Sequence, residues 1–123
     1  MIPTAIFDVI QRYFDALYRA DAKLLEEVMH NQAIYASADE TPMLFRTMDE
    51  YLPIVAAREA PESRGEARND VIEMVSLAGD NTALARVRCS IGNRNFTDFL
   101  TLVRDQGEWR ILAKIFQISN REQ

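Results

Sequence analysis

Apolar residues recur along this chain with two different periods. Between residues 4 and 20 they return every three or four positions: Ile6, Ile10, Tyr13 and Leu17 share a face, with Phe7, Phe14 and Tyr18 beside it. Asp8, Arg12, Asp15 and Arg19 fall on the opposite side. That spacing predicts an amphipathic helix with Thr4 as its cap. Asp21 reads as a fresh N-cap for a shorter helix over 22–29, burying Leu24, Leu25, Val28 and Met29, and His30-Asn31-Gln32 breaks it. Thr47-Met48-Asp49-Glu50 fits a capping box, with Thr at the N-cap and Glu at N3. The third helix that follows carries Tyr51, Leu52, Ile54 and Val55, and Pro53 inside it predicts a bend or a late start.

Elsewhere the pattern is that of strands. Residues 33–38 and 43–46 are short candidates on either side of the turn Asp39-Glu40-Thr41-Pro42. After a polar loop over 58–66, strands are predicted over 67–78, 81–91, 95–104 and 108–118, with reversals at Gly79-Asp80 and Gly92-Asn93. Helices followed by consecutive hairpins make an α+β pattern, the helices covering one face of a curled antiparallel sheet.

The closing stretch Phe96–Phe116, FTDFLTLVRDQGEWRILAKIF, carries the most information. Asp105-Gln106-Gly107 suits a three-residue loop, a type I turn followed by a left-handed glycine. Arg104 then pairs with Glu108, Leu102 with Arg110, Leu100 with Leu112, Asp98 with Lys114 and Phe96 with Phe116. One face of the hairpin is apolar with a carboxylate and an ammonium set into it. A one-residue shift would instead turn Trp109 inward and Lys114 away. Phe99 and Val103 point to the other face, where a second chain packed sheet to sheet would cover them.

The 123 residues suffice for one domain, 1–123, and the 48% hydrophobic content argues against disorder. A net charge of −5 with scattered arginines disfavours nucleic acid, and no apolar run is long enough to span a membrane. The N-terminus lacks the pattern of a signal peptide, and Cys89 is the sole cysteine, so a reducing cytoplasm is expected. One Cys and one His exclude the usual zinc clusters, and no cofactor is expected.

The order of elements, the helix string IQRYFDAL and the closing FxDxLxL…GxWRIxxKxF pattern resemble the nuclear transport factor two-like superfamily. Within it the SnoaL-like, "putative lumazine-binding" branch is the most similar. The resemblance implies a cone-shaped half-barrel whose concave face is covered by three helices from the N-terminal half. It also implies a pocket between helices and sheet, and a homodimer through the sheet's outer face. A more distant relative, ketosteroid isomerase, uses an Asp base with an oxyanion hole of Tyr and protonated Asp. On that resemblance Tyr13 matches the tyrosine and Asp98 the oxyanion aspartate. Ser37 stands where the base would be, with Asp39 two residues on.

The candidate pocket residues are therefore Tyr13, His30, Arg58, Asp98, Lys114 and Phe116. Each has a plainer reading: Tyr13 as a core tyrosine, His30 as a helix-end or loop residue, Arg58 as a cation at a helix C-terminus. Asp98 and Lys114 would form a salt bridge at about 4 Å, worth about 4 kcal/mol at an effective dielectric near 20 before desolvation. Arg86 and Arg88 alternate with Val87 and Cys89 and point outward, and Cys89 reads as a small buried hydrophobe. The reading is a dimeric protein that binds a small apolar or aromatic molecule. An isomerase, dehydratase or cyclase on the same pocket, and an interaction module without a ligand, are the alternatives.

Overall fold

In a computed structural model, which describes residues 1–120, helix α1 spans Thr4–Arg19, α2 spans Ala22–Val28 and α3 spans Met48–Ala56. Strands β1 (Met29–Ser37), β2 (Leu44–Thr47), β3 (Val71–Ala78), β4 (Thr82–Ile91), β5 (Arg94–Asp105) and β6 (Glu108–Asn120) form a single sheet. Its order is β2-β1-β6-β5-β4-β3, curved and unclosed, an α+β architecture as anticipated. Four ladders are antiparallel, while β1 runs parallel to β6. The parallel step is possible because β1 and β6 are far apart in sequence and need no tight turn between them.

The helix starts follow local chemistry. Asp21 caps α2, its carboxylate accepting the Leu24 N–H at 3.0 Å. The Glu50 carboxylate accepts the Thr47 N–H at 3.0 Å, so the capping box forms and α3 begins directly at Met48 rather than late. Pro53 sits on the exposed side within α3. At α1 the N-cap is Pro3, without a side-chain hydrogen bond, and Thr4 is already helical. Proline's fixed φ prepares the helical entry that Thr4 was expected to provide. His30-Asn31-Gln32 do lie beyond the end of α2, as strand rather than as an irregular loop. The chain passes straight from α2 into β1, whose pairing with β6 is irregular between Met29 and Ile34.

The core lies between the helices and one face of the sheet. Ile6, Ile10, Tyr13, Leu25, Val28, Tyr51 and Val55 come from the helices; Ala85, Val87, Leu100, Leu102 and Ile111 meet them from the strands. The opposite face of the sheet exposes Phe45, Met74, Leu84, Phe99 and Ile115.

The β5–β6 hairpin differs from its expected register in two places. Its loop is two residues, Gln106 (φ 54°) and Gly107 (φ 80°), joining the pair Asp105–Glu108. Two successive left-handed residues match the right-handed twist of the strands better than the three-residue loop. Leu102 therefore faces Ile111, Trp109 turns inward, and Arg110 leaves the inward face. A bulge then skips Leu112, so Thr101 faces Ala113, Leu100 faces Lys114 and Asp98 faces Phe116. Each shift alone would exchange the faces of the strand; together they restore its parity. Trp109 and Lys114 are both inward as a result.

Candidate functional site

The buried polar groups gather where α1, α3, β1, β5 and β6 converge. Asp98, from the inward face of β5, is fully buried, and Lys114, from β6, is 3% exposed. The Tyr13 hydroxyl, projecting from α1, donates to Asp98 Oδ2 at 2.6 Å. Lys114 Nζ lies 4.0 Å from the same oxygen, a charge contact just beyond hydrogen-bond reach.

Five aromatic rings surround the ammonium. Its Nζ is 5.2 Å from the ring centres of Tyr13 and Tyr35, 5.3 Å from Phe116, and 5.8 Å from Tyr51 and Phe96. Tyr35 and Tyr51 stack with centres 4.1 Å apart and planes 23° from parallel, and Phe116 tilts against Tyr35 at 4.7 Å. Ring faces attract cations, with desolvated examples worth about 2 kcal/mol. This accounts for how an ammonium is tolerated where water is excluded. Burial works against the charge on Lys114. The neighbouring oxygens of Tyr51, Asp98 and Tyr35 outweigh it and hold the lysine pKa above its usual value.

The same burial keeps nearby groups protonated. The Tyr13 phenol is pushed well above its ordinary value by burial and then by the Asp98 charge. Cys89 is pushed up to about 12 by burial, with Asp98 again adding to it. It is a buried hydrophobe rather than a nucleophile. Two polar atoms in the cluster, Asp98 Oδ1 and Tyr51 Oη, are buried without a hydrogen-bond partner.

Four of the six expected site residues are thus together: Tyr13, Asp98, Lys114 and Phe116. Arg58, just beyond α3, lies at the margin of the cluster with its guanidinium 5.9 Å from the Tyr51 ring centre. His30 is elsewhere. Its Nε2 is 3.0 Å from Asp105 Oδ2 at the hairpin tip, beside a groove lined by Glu26, Asn31, Gln106 and Arg110. Sequence reasoning missed Tyr35 and Tyr51 as cluster members. Tyr35 lies beside Lys114 in the parallel β1–β6 ladder, and no local pattern announces that pairing. Ser37 is 1% exposed, and its Oγ accepts the Asp39 N–H at 3.3 Å.

The space where Tyr13 and Asp98 were expected to line an open pocket is filled by the Lys114 side chain and its rings. The open cavities lie around the cluster, and none of the five described here reaches Tyr13, Asp98 or Lys114. One of about 490 Å³ lies between α1 and the hairpin tip over Trp109. Another, of about 370 Å³, lies on the outer sheet face beside Phe99 and Ile115. A third, of about 320 Å³, is bordered by Cys89, Asn95 and Phe96, the last with its ring centre 5.8 Å from the ammonium. No helix of the described residues is long and apolar enough to cross a membrane.

Solved structures share this architecture over nearly the whole chain. A nuclear transport factor two-like protein of unknown function from Shewanella baltica aligns with a TM-score of 0.83 at 21% identity, covering 94% of this chain and 92% of that one. A similar protein of unknown function from Silicibacter pomeroyi gives 0.79 at 24% identity, with 94% of each chain covered. A ketosteroid isomerase-like protein from Erwinia carotovora atroseptica gives 0.73 at 13% identity, again over 94% of each. At these identities the likeness is one of fold. No curated protein matches the sequence. The family model described as "Putative lumazine-binding" matches residues 3–117, and the chain belongs to that family, with the fold of the nuclear transport factor two-like proteins.

Proposed function

We propose that the protein binds a small, largely aromatic molecule at the cluster of Tyr13, Tyr51, Asp98 and Lys114. The observation that carries this reading is the pair of unsatisfied buried atoms, Asp98 Oδ1 and Tyr51 Oη, among aromatic rings. Leaving a buried polar group without a partner costs about 1–3 kcal/mol. A guest offering hydrogen bonds at this point removes that penalty, and the surrounding rings supply its apolar contacts. Tyr51 and the adjoining Arg58 come from α3 and its end, and Phe96 both packs against the ammonium and lines a cavity of about 320 Å³. Outward movement of α3 or rotation of Phe96 is the route by which a guest enters.

The reading is binding rather than turnover. The Tyr13 hydroxyl, which an isomerase would offer to its substrate, is committed to Asp98 at 2.6 Å. Ser37, in the position of the isomerase base, is buried and bonded to its own strand end. The working unit is a homodimer joined through the outer sheet face, where Phe99 and Ile115 lie side by side. We place it in the cytoplasm on the strength of its lone, buried thiol.

Native mass spectrometry of freshly purified protein is the test. The expected spectrum is a dimer carrying a small-molecule adduct that Tyr51→Phe weakens. A protein that never retains a guest, and whose Tyr51 and Phe116 resonances do not respond to a library of aromatic fragments, would leave an interaction module with a filled interior.

A further inference from the structure

Building on the ligand site just proposed, we infer that its guest is a small organic anion, a flat ring bearing one negative charge. The cluster has two cations, Lys114 and Arg58, and one carboxylate, Asp98, which leaves it at 2 − 1 = +1. Among the described residues Arg58 enters no ion pair, although ten other ion pairs besides Lys114–Asp98 are formed. Arg46 is likewise half-buried without an ion pair, but of the two it is Arg58 that lies against the aromatic cluster.

The cluster also leaves hydrogen-bonding groups open. Tyr51 has a hydroxyl without a partner, and the nearest carboxylate oxygen to the Lys114 ammonium is 4.0 Å away. The Tyr13 hydroxyl is already used by Asp98, whose Oδ1 stays open to a donor, as the Tyr51 hydroxyl is open to either kind of partner. The Lys114 ammonium has three N–H groups and its nearest carboxylate oxygen lies beyond hydrogen-bond reach, so an anionic acceptor suits that side of the cluster. A ring of aromatic faces would ordinarily favour a cation, but here Lys114 fills that place. A second cation would face two like charges in a water-poor setting.

The stacked Tyr35–Tyr51 pair gives the flat part of the guest a surface to extend. The two cations also act jointly on one phenol. Burial raises the Tyr35 pKa, while Lys114 and Arg58 both work to lower it. An anion placed near that phenol feels both charges.

The test uses three monocyclic probes of the same size: benzoate, benzamide and benzylamine, with acetate as the non-aromatic control. Each is titrated into the full-length protein at neutral pH and followed by thermal shift and by NMR of the tyrosine rings. The expectation is that benzoate raises the melting temperature and shifts Tyr35 and Tyr51, while benzamide, benzylamine and acetate do so weakly or not at all. Arg58→Gln should weaken benzoate about tenfold, and Arg58→Lys should recover part of the loss. Benzamide binding as well as benzoate, with the same sensitivity to Tyr51→Phe, would overturn the anion and keep the ligand site. Preference for benzylamine, indifference to Arg58→Gln, or no response to any probe would overturn the inference outright.

Discussion

Lys114 is paired across the strands with Leu100, not with Asp98, yet its ammonium comes within 4.0 Å of the Asp98 carboxylate. The contact is diagonal, made by a long side chain reaching past one residue pair on the inward face. Both groups are buried, so their energetics are dominated by what happens when one is left alone. Removing one partner of a buried pair typically costs about 3–5 kcal/mol, whereas replacing both by apolar groups is often far milder.

This gives the first prediction. Lys114→Met and Asp98→Asn should each destabilise the fold strongly, and the double variant should be much more stable than the sum of the two losses implies. A double-mutant cycle from urea unfolding should return a coupling above about 1 kcal/mol. Additive losses would mean that the ammonium is held by the rings alone.

The hairpin turn supports a second prediction. Gln106 holds φ at 54°, a region that costs a non-glycine residue about 1–2 kcal/mol. Gln106→Gly or Gln106→Asn should raise stability by about 0.5–1 kcal/mol, measured as a higher denaturation midpoint with unchanged slope. Gly107→Ala, at φ 80°, should lower it even though open space surrounds the position. Deleting Leu112 would remove the bulge residue and leave Thr101 facing Ala113 and Leu100 facing Lys114 in a regular ladder, so Lys114 stays inward and Ile115 outward. That variant should keep a dispersed NMR spectrum, whereas inserting a second residue beside Leu112 should not.

The same hairpin explains how much could be read in advance. Helix placement was legible because each cap is a local signal, Asp21 with Leu24 and Thr47 with Glu50 lying three residues apart. The inward positions of Asp98 and Lys114 were also legible, because strand alternation depends only on parity and the two register shifts cancel. Which residue faces which was not, since a two-residue turn and a bulge at Leu112 leave the same apolar pattern in the sequence. The aromatic surroundings of Lys114 were hidden for a further reason. Tyr35 and Tyr51 reach it through β1 and α3, across a parallel ladder and a helix crossing that no local spacing encodes.

A third prediction concerns alkaline pH. The pKa values of Cys89, Tyr13 and Lys114 are all raised in the folded state. The native protein then keeps protons that the unfolded chain releases, so this part of the stability is complete below the unfolded pKa values and declines as pH rises. For Cys89 the window runs from its ordinary 9.0 up to about 12. Tyr13 and Lys114 begin to contribute near their ordinary values of 10.0 and 10.5. Urea midpoints should be nearly level up to about pH 8 and fall steeply by about pH 11. Cys89→Ala should reduce the early part of that fall. A flat profile across the same range would remove the case for a protonated, closed interior.

The last prediction tests the assembly. In one row across the outer face of the sheet, Phe45, Ala36, Ile115 and Phe99 are successive ladder partners, and the row continues through Arg86 to Met74. Phe45, Phe99 and Ile115 are about half exposed, at 53%, 48% and 43%. Arg86 is held in place by Glu73, whose two carboxylate oxygens accept from Arg86 Nε at 2.8 Å and Arg88 Nε at 2.6 Å. An apolar stripe with a pinned polar border has the form of an interface centre and its rim. Two copies related by a two-fold axis would lay stripe against stripe, removing both from water at once. Phe99→Asp places a charge in the middle of that contact and none in the core, so it should leave the monomer folded but halve the sedimenting mass at micromolar concentration. Arg88→Ala, at the border, should change the assembly far less. A wild-type chain that sediments as a monomer, or a Phe99→Asp variant that still sediments as a dimer, would place the interface somewhere other than this face.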